Sequence, residues 1–168
     1  GNITVNADSA VISGVSSDVD PIPSGIFTSS ADVGAAGTIS LIVTGPVTLT
    51  GGALVQSGSQ FEQGNNITVT GKSVTISDGS GISSQALLQE VGSVAINADT
   101  LTVDHGYIST STLEAGRAGD LTLNVGTLTL TRGGQVATSS VSAPGDGGNL
   151  IVNATSAVSI SGASPTGS

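Results

Sequence analysis

Hydrophobic and polar residues alternate in short runs along this chain. In Leu121–Val125 the apolar side chains occupy every second position, and the same alternation continues after Gly126 in Leu128–Thr131. A period of two is the pattern of a β-strand with one buried face. A weaker run at Val136–Thr138 follows a pair of glycines, so one unit of this sequence predicts three short strands separated by three corners.

This unit recurs about six times, and the recurrence predicts the fold. The repeats begin at intervals of 27 to 36 residues, at Asn2, Thr38, Asn66, Ser93, Asp120 and Asn149. Repeats of this length indicate a solenoid, in which each rung stacks on the next. We therefore predict an all-β fold, a right-handed parallel β-helix (solenoid) of about six rungs of ~27–29 residues, with three short strands per rung.

Stacked rungs should align their inward side chains in columns. Four predicted columns start at Ile3, Val5, Ala10 and Ile12 and take one aliphatic residue from each rung. A looser fifth column contains Ile26, Leu54, Ile82, Ile108 and Val136. A β-sandwich also alternates but does not require columns at a fixed spacing, and a propeller needs longer blades with aromatic signatures.

An insertion lengthens the first rung at residues 15–24. Pro21 and Pro23 exclude a continuing central strand, so this segment should protrude as a loop. Insertions in solenoids often mark a binding face, which makes Asp18, Asp20, Pro21 and Pro23 a candidate binding loop.

The composition narrows the range of partners. The net charge is −9, and the basic side chains are Lys72, Arg117 and Arg132. Nucleic acids and anionic membranes are bound through many Lys and Arg residues, so we expect neither nucleic-acid binding nor membrane insertion. The chain lacks cysteine, which rules out a disulfide framework, and it lacks methionine. We expect residues 1–168 to form a single β-helix segment, an excerpt or repeat unit of a longer fibre.

Four threonines recur 27 residues apart on the outward side of the second predicted strand: Thr48, Thr75, Thr102 and Thr129. They should form a surface ladder, since threonine is a strand former whose hydroxyl suits water. An ice-binding face would also use regular threonine columns. The Thr-x-Thr pairs typical of ice-binding solenoids occur at Thr48 and Thr129, but the pattern fails at Thr75 and Thr102.

One corner column contains the single histidine of the chain. It reads Gly14, Gly51, Asp78, His105, Arg132 and Gly162. Stacking would place Asp78 beside His105, and His105 beside Arg132. We interpret this set as a solvent-exposed charge ladder, and a catalytic carboxylate–imidazole pair is the alternative.

We expect no cofactor, with structural calcium as the alternative. Hard cations prefer carboxylate and carbonyl oxygens. Such a site could use the loop aspartates Asp18 and Asp20, or the recurring glutamates Glu62, Glu90 and Glu114 near the third corner.

Two runs carry a family resemblance, AGDLTLNVGTLTLTRGGQVATSS at 118–140 and GNNITVTGKSVTISDGSGISS at 64–84. They resemble the repeats of filamentous-haemagglutinin-like exoproteins. The resemblance implies a β-helical adhesin shaft, exported by two-partner secretion to the bacterial cell surface or beyond. It assigns no role to an individual residue, because shaft repeats have no fixed catalytic motif.

These observations predict a structural or adhesive extracellular fibre protein rather than an enzyme. The expected partners are further copies of the chain, end to end or side by side, together with glycans or cell-surface components. The alternatives are a polysaccharide-processing β-helix enzyme, because that fold hosts several such enzymes, and an ice-binding surface.

Overall fold

The fold was determined from a computed structural model that describes residues 1–31, 34–60, 63–114, 116–141 and 145–162. Within these ranges the chain contains no helix and winds as a parallel β-solenoid of about five turns. The predicted all-β parallel solenoid is therefore confirmed.

The strands form three parallel sheets. In the first sheet the first two turns each contribute two short strands, and each later turn contributes one long strand. The first sheet contains β1 (Ile3–Ala7), β2 (Ala10–Ser13), β4 (Ile39–Val43), β5 (Pro46–Thr50), β7 (Ile67–Ser77), β9 (Val94–Asp104), β12 (Leu121–Thr131) and β15 (Leu150–Ser161). The second contains β3 (Gly25–Ser30), β6 (Leu54–Ser59), β8 (Gly81–Ala86), β10 (Tyr107–Thr112) and β13 (Gln135–Ser140). The third pairs β11 (Gly116–Arg117) with β14 (Gly145–Asp146).

The predicted break at Gly126 is wrong, because β12 runs through this glycine as one strand of 11 residues. The pairing of β12 with β15 shifts register between Val125 and Thr127. A Cβ atom on Gly126 would lie 2.5 Å from the carbonyl oxygen of Asp99 in the neighbouring rung. Glycine therefore lets the two rungs approach closely at this bend without ending the strand.

The strand register confirms the four aliphatic columns of the first sheet. Leu101, for example, is fully buried and lies between Val74 and Leu128 of the adjacent rungs. Buried and half-buried positions alternate along β7 and β12, as a strand with one core-facing side requires. The core of the first sheet is thus a stack of like aliphatic side chains.

The predicted fifth column is wrong at Leu54. Val55 lies between Ile26 and Ile82 in the second sheet and is fully buried, whereas Leu54 lies between Gly25 and Gly81. Because side chains alternate between the two faces of a strand, this difference of one residue places Leu54 on the outer face.

The inner side of the second sheet also carries a column of hydroxyl residues: Thr28, Ser57, Ser84, Thr110 and Thr138. Thr110 Oγ1 donates to the carbonyl oxygen of Gly119 at 2.5 Å, and Thr28 and Thr138 make equivalent bonds to other glycine carbonyls. These bonds satisfy backbone acceptors at the third corner, which would otherwise be buried without a partner.

Candidate functional site

The corner after the first sheet has the same backbone conformation in every rung. Its residues, Gly14, Gly51, Asp78, His105, Arg132 and Gly162, have φ angles between 47° and 87°. This left-handed region costs a non-glycine residue roughly 1–2 kcal/mol, which explains why three rungs use glycine. The other three rungs place charged or ionisable side chains there, side by side on the surface.

Hydroxyl groups from two rungs hold the Asp78 carboxylate. Thr50 Oγ1 donates to Asp78 Oδ2 at 2.9 Å, and Ser77 Oγ donates to the same oxygen at 3.0 Å. The hydrogen bond from Thr50, followed by that from Ser77, lowers the pKa of Asp78 below its ordinary value of 3.8. Asp78 is therefore a fixed anion at neutral pH.

Arg132 pairs with Asp104, a residue that the sequence pattern did not single out. Arg132 Nε donates to Asp104 Oδ1 at 2.6 Å and Nη2 donates to Oδ2 at 2.5 Å. Thr131 Oγ1 adds a bond of 2.8 Å to Oδ1. These hydrogen bonds, first those of Arg132, lower the pKa of Asp104 from 3.8 to about 2. Arg132 Nη2 also lies 3.6 Å from Asp78 Oδ1, so one guanidinium joins two carboxylates.

The alternative carboxylate–imidazole pair is not assembled. The exposed His105 ring makes no hydrogen bond or ion pair with any residue that the structure describes. Its backbone instead holds the corner, since its N–H donates to Thr131 and its carbonyl accepts from Gly79. Both carboxylates of the cluster, Asp78 and Asp104, are ionised at neutral pH, so neither can serve there as a general acid.

The structure places the four predicted threonines, Thr48, Thr75, Thr102 and Thr129, in one outward column. All four are half-buried. The next outward column contains Thr50, Ser77, Asp104 and Thr131, and its hydroxyl pattern is interrupted at Asp104 by the ion pair with Arg132. On the other side of the ladder, Ser73, Thr100 and Thr127 form a further outward column, so the hydroxyl surface is two residues wide across three rungs.

The structure contains two further polar ladders that were not predicted from the sequence. Asn153 donates to Asn124 at 2.8 Å and Asn124 donates to Asn97 at 2.9 Å, which forms an amide ladder across three rungs. At the rung starts, Asn2, Asn66 and Asp120 accept a backbone N–H from the following rung at 2.8 to 3.0 Å. The recurrence of Asn or Asp at one-lap spacing is the signal that could have revealed both ladders.

The insertion at residues 15–24 forms a short hairpin that leaves the solenoid at the left-handed corner. Val15 forms an antiparallel bridge with Pro23, and Ser16 N–H donates to the Ile22 carbonyl at 2.8 Å. Val19, between Asp18 and Asp20, is fully exposed at the tip. The two aspartates and Pro21 are therefore presented to solvent.

For the calcium alternative, the described part of the fold brings no cluster of carboxylates together. Among the described residues, no group of three or more Asp, Glu or His side chains converges on one point. Glu90 and Glu114 are exposed near the third corner, and Glu62 lies outside the described residues.

A groove of about 460 Å³ lies on the outer face of the second sheet. Phe27 and Leu113, each 42% exposed, line it together with Gln56, Gly58 and Gln85. The chain has only three aromatic residues. The fold nevertheless places one of them at this groove.

No protein-family model, curated protein or solved structure matches this chain. The part of the chain that the structure describes also has no helix long and apolar enough to cross a membrane. The geometry of the solenoid and its surfaces is therefore what points to a function.

Proposed function

We propose that this chain is the shaft of a structural or adhesive extracellular fibre protein. The observation that carries the proposal is the uninterrupted parallel pairing of the first sheet from β1 to β15. Each interior rung is hydrogen-bonded to a rung on either side, and its aliphatic side chains pack on like residues above and below. Such a stack resists bending and local opening, which is what a fibre shaft requires.

The shaft gains useful length by adding rungs. About five turns at ~4.8 Å spacing span only roughly 24 Å. Among the described residues nothing packs on the outer side of β15: the side chains that continue the buried columns are exposed there, with Leu150 at 45% and Ile160 at 73%. A further rung, covalently continuous or supplied by another copy, would bury this apolar surface and pair the free strand edge.

The outer faces suit contacts with neutral partners. The threonine column and the Asn97–Asn124–Asn153 amide ladder present hydrogen-bonding groups at regular spacing. Neighbouring shafts or cell-surface glycans are the partners that this chemistry favours. The resemblance to filamentous-haemagglutinin-like repeats supports a right-handed coil, secretion and a place at the bacterial cell surface.

Electron microscopy combined with sedimentation tests the proposal. We expect thin filaments that lengthen with protein concentration. Ile160→Asp places a charge on the uncovered face of β15 and should abolish their growth. Val11→Asp is the matched control, because Val11 is 71% exposed and points outward from its strand. A monodisperse monomer at all concentrations would count against assembly by stacking.

A further inference from the structure

The groove on the second sheet is lined by side chains from several rungs. Phe27, Gln56 and Gln85 come from β3, β6 and β8, and Leu113 follows β10, so the groove crosses four successive rungs. At ~4.8 Å per rung its length is roughly 14 Å. Its volume of about 460 Å³ lies within the roughly 300–1,000 Å³ typical of small-molecule sites.

Gly58 creates the depression in the floor. It lies in an outward column between Ser29 and Gln85, where the other rungs carry side chains. A Cβ atom added at Gly58 would meet nothing within 4 Å, and the φ angle of this glycine is not in the left-handed region. The floor is therefore open at Gly58 because this residue has no side chain. The backbone conformation there does not itself require glycine.

Phe27 is the fixed apolar wall of the groove. Its ring folds back over Gly25, where an added Cβ atom would lie 2.6 Å from the ring carbon Cζ. The remainder of the ring is open, with 42% of the residue exposed. An aromatic surface held in one place contributes contact area to a ligand at little entropic cost.

Gln56 and Gln85 supply the polar part of the floor. Gln56 Nε2 donates to Gln85 Oε1 at 3.2 Å, and both side chains are half-buried. This bond leaves Gln56 Oε1 able to accept, and it leaves one N–H of Gln56 and both N–H groups of Gln85 able to donate. An apolar ligand would leave these groups unsatisfied, whereas a ligand rich in hydroxyl groups would bond to both.

The surroundings of the groove disfavour anionic ligands and extended peptides. Among the described residues that line it none is charged, and the net charge of −9 disfavours anionic ligands. An extended peptide usually binds by adding a strand to a sheet edge. This groove lies on a sheet face, where the backbone groups of β6 are already paired with β3 and β8.

We infer that this groove is a binding site for a neutral glycan, whose hydroxyls bond to the Gln56–Gln85 amides while a sugar face packs on Phe27. This inference rests on the adhesive role proposed above and assigns that role to a specific surface.

The test is binding of the purified chain to an array of neutral and sulfated glycans, followed by calorimetry with the best neutral oligosaccharide. Gly58→Ile fills the groove with a strand-forming side chain and should weaken binding by about tenfold or more. Ser139→Ile makes a similar change in the same outward column outside the groove and should leave binding unchanged. Gln56→Ala should also weaken binding, with Gln135→Ala as its control outside the groove.

Binding of no neutral glycan, binding of sulfated glycans alone, or equal binding by Gly58→Ile would overturn the inference. The thermal midpoint of each variant separates a lost site from a lost fold. Filament growth is measured on the same samples, because a chain that forms filaments without binding glycans would refute the site and leave the proposed shaft function standing.

Discussion

Arg132 and Asp104 form a two-point ion pair between adjacent rungs, with Nε 2.6 Å from Oδ1 and Nη2 2.5 Å from Oδ2. The two residues belong to different outward columns, so the long arginine side chain ties the corner of one rung to the strand end of another. This pair gives the solenoid a measurable dependence on acid.

Acidification should weaken the shaft through this pair. The pKa of Asp104 is about 2 in the folded chain and 3.8 ordinarily, so the unfolded chain binds this proton more readily. The stabilisation is therefore complete above pH 3.8 and is lost as the pH falls towards 2.

Thermal melting across this window should show a smaller decline in Asp104→Asn than in the unchanged chain. Added salt should reduce the difference, because both side chains are partly exposed. Identical profiles would refute the assignment.

The left-handed corner predicts opposite rankings for glycine and alanine at two exposed sites. At His105, with φ of 54°, His105→Gly should be more stable than His105→Ala by roughly 1 kcal/mol, because alanine strains this backbone. At Gln135, in an extended strand, Gln135→Gly should be less stable than Gln135→Ala by roughly 0.5–1 kcal/mol. Chemical denaturation of the four variants measures both differences. The same ranking at both sites would contradict the corner geometry.

Position within a column should determine the cost of truncation. Leu101 is fully buried between Val74 and Leu128, so Leu101→Ala should cost about 2–5 kcal/mol of unfolding free energy. Val158 continues the same column but is 52% exposed, so Val158→Ala should cost less than about 1 kcal/mol. Urea unfolding compares the two variants, and equal losses would argue against stacked burial.

The inward hydroxyl column should be more sensitive than the outward threonine column. Thr110→Val preserves the shape of the side chain but leaves the Gly119 carbonyl without its hydroxyl partner, at a cost of about 1–3 kcal/mol. Thr102→Val makes the same change on the outer face and should alter stability by less than about 0.5 kcal/mol. Thermal unfolding distinguishes them, and an equal effect would mean that the inward bond contributes little.

The aliphatic columns were predictable because the fold requires a similar apolar residue at the same position of every rung, and this repetition is visible in the sequence. Leu54 was misplaced because Val55 beside it is equally apolar, and only the register settles which of them faces inward. Asp104 was missed because the other rungs carry hydroxyls at its position, and its partner reaches it from another column. The groove was invisible because it depends on a side chain that Gly58 lacks.

The regular pairing also affects how the chain acquires its structure. Val94 and Leu121 are in register although 27 residues separate them, and the next lap repeats a closure of similar length. Since the entropy of closing a loop grows slowly with its length, each added lap faces nearly the same barrier. A folded rung serves as the template for the rung that follows. Folding can therefore propagate from any folded rung and does not depend on distant parts of the polypeptide.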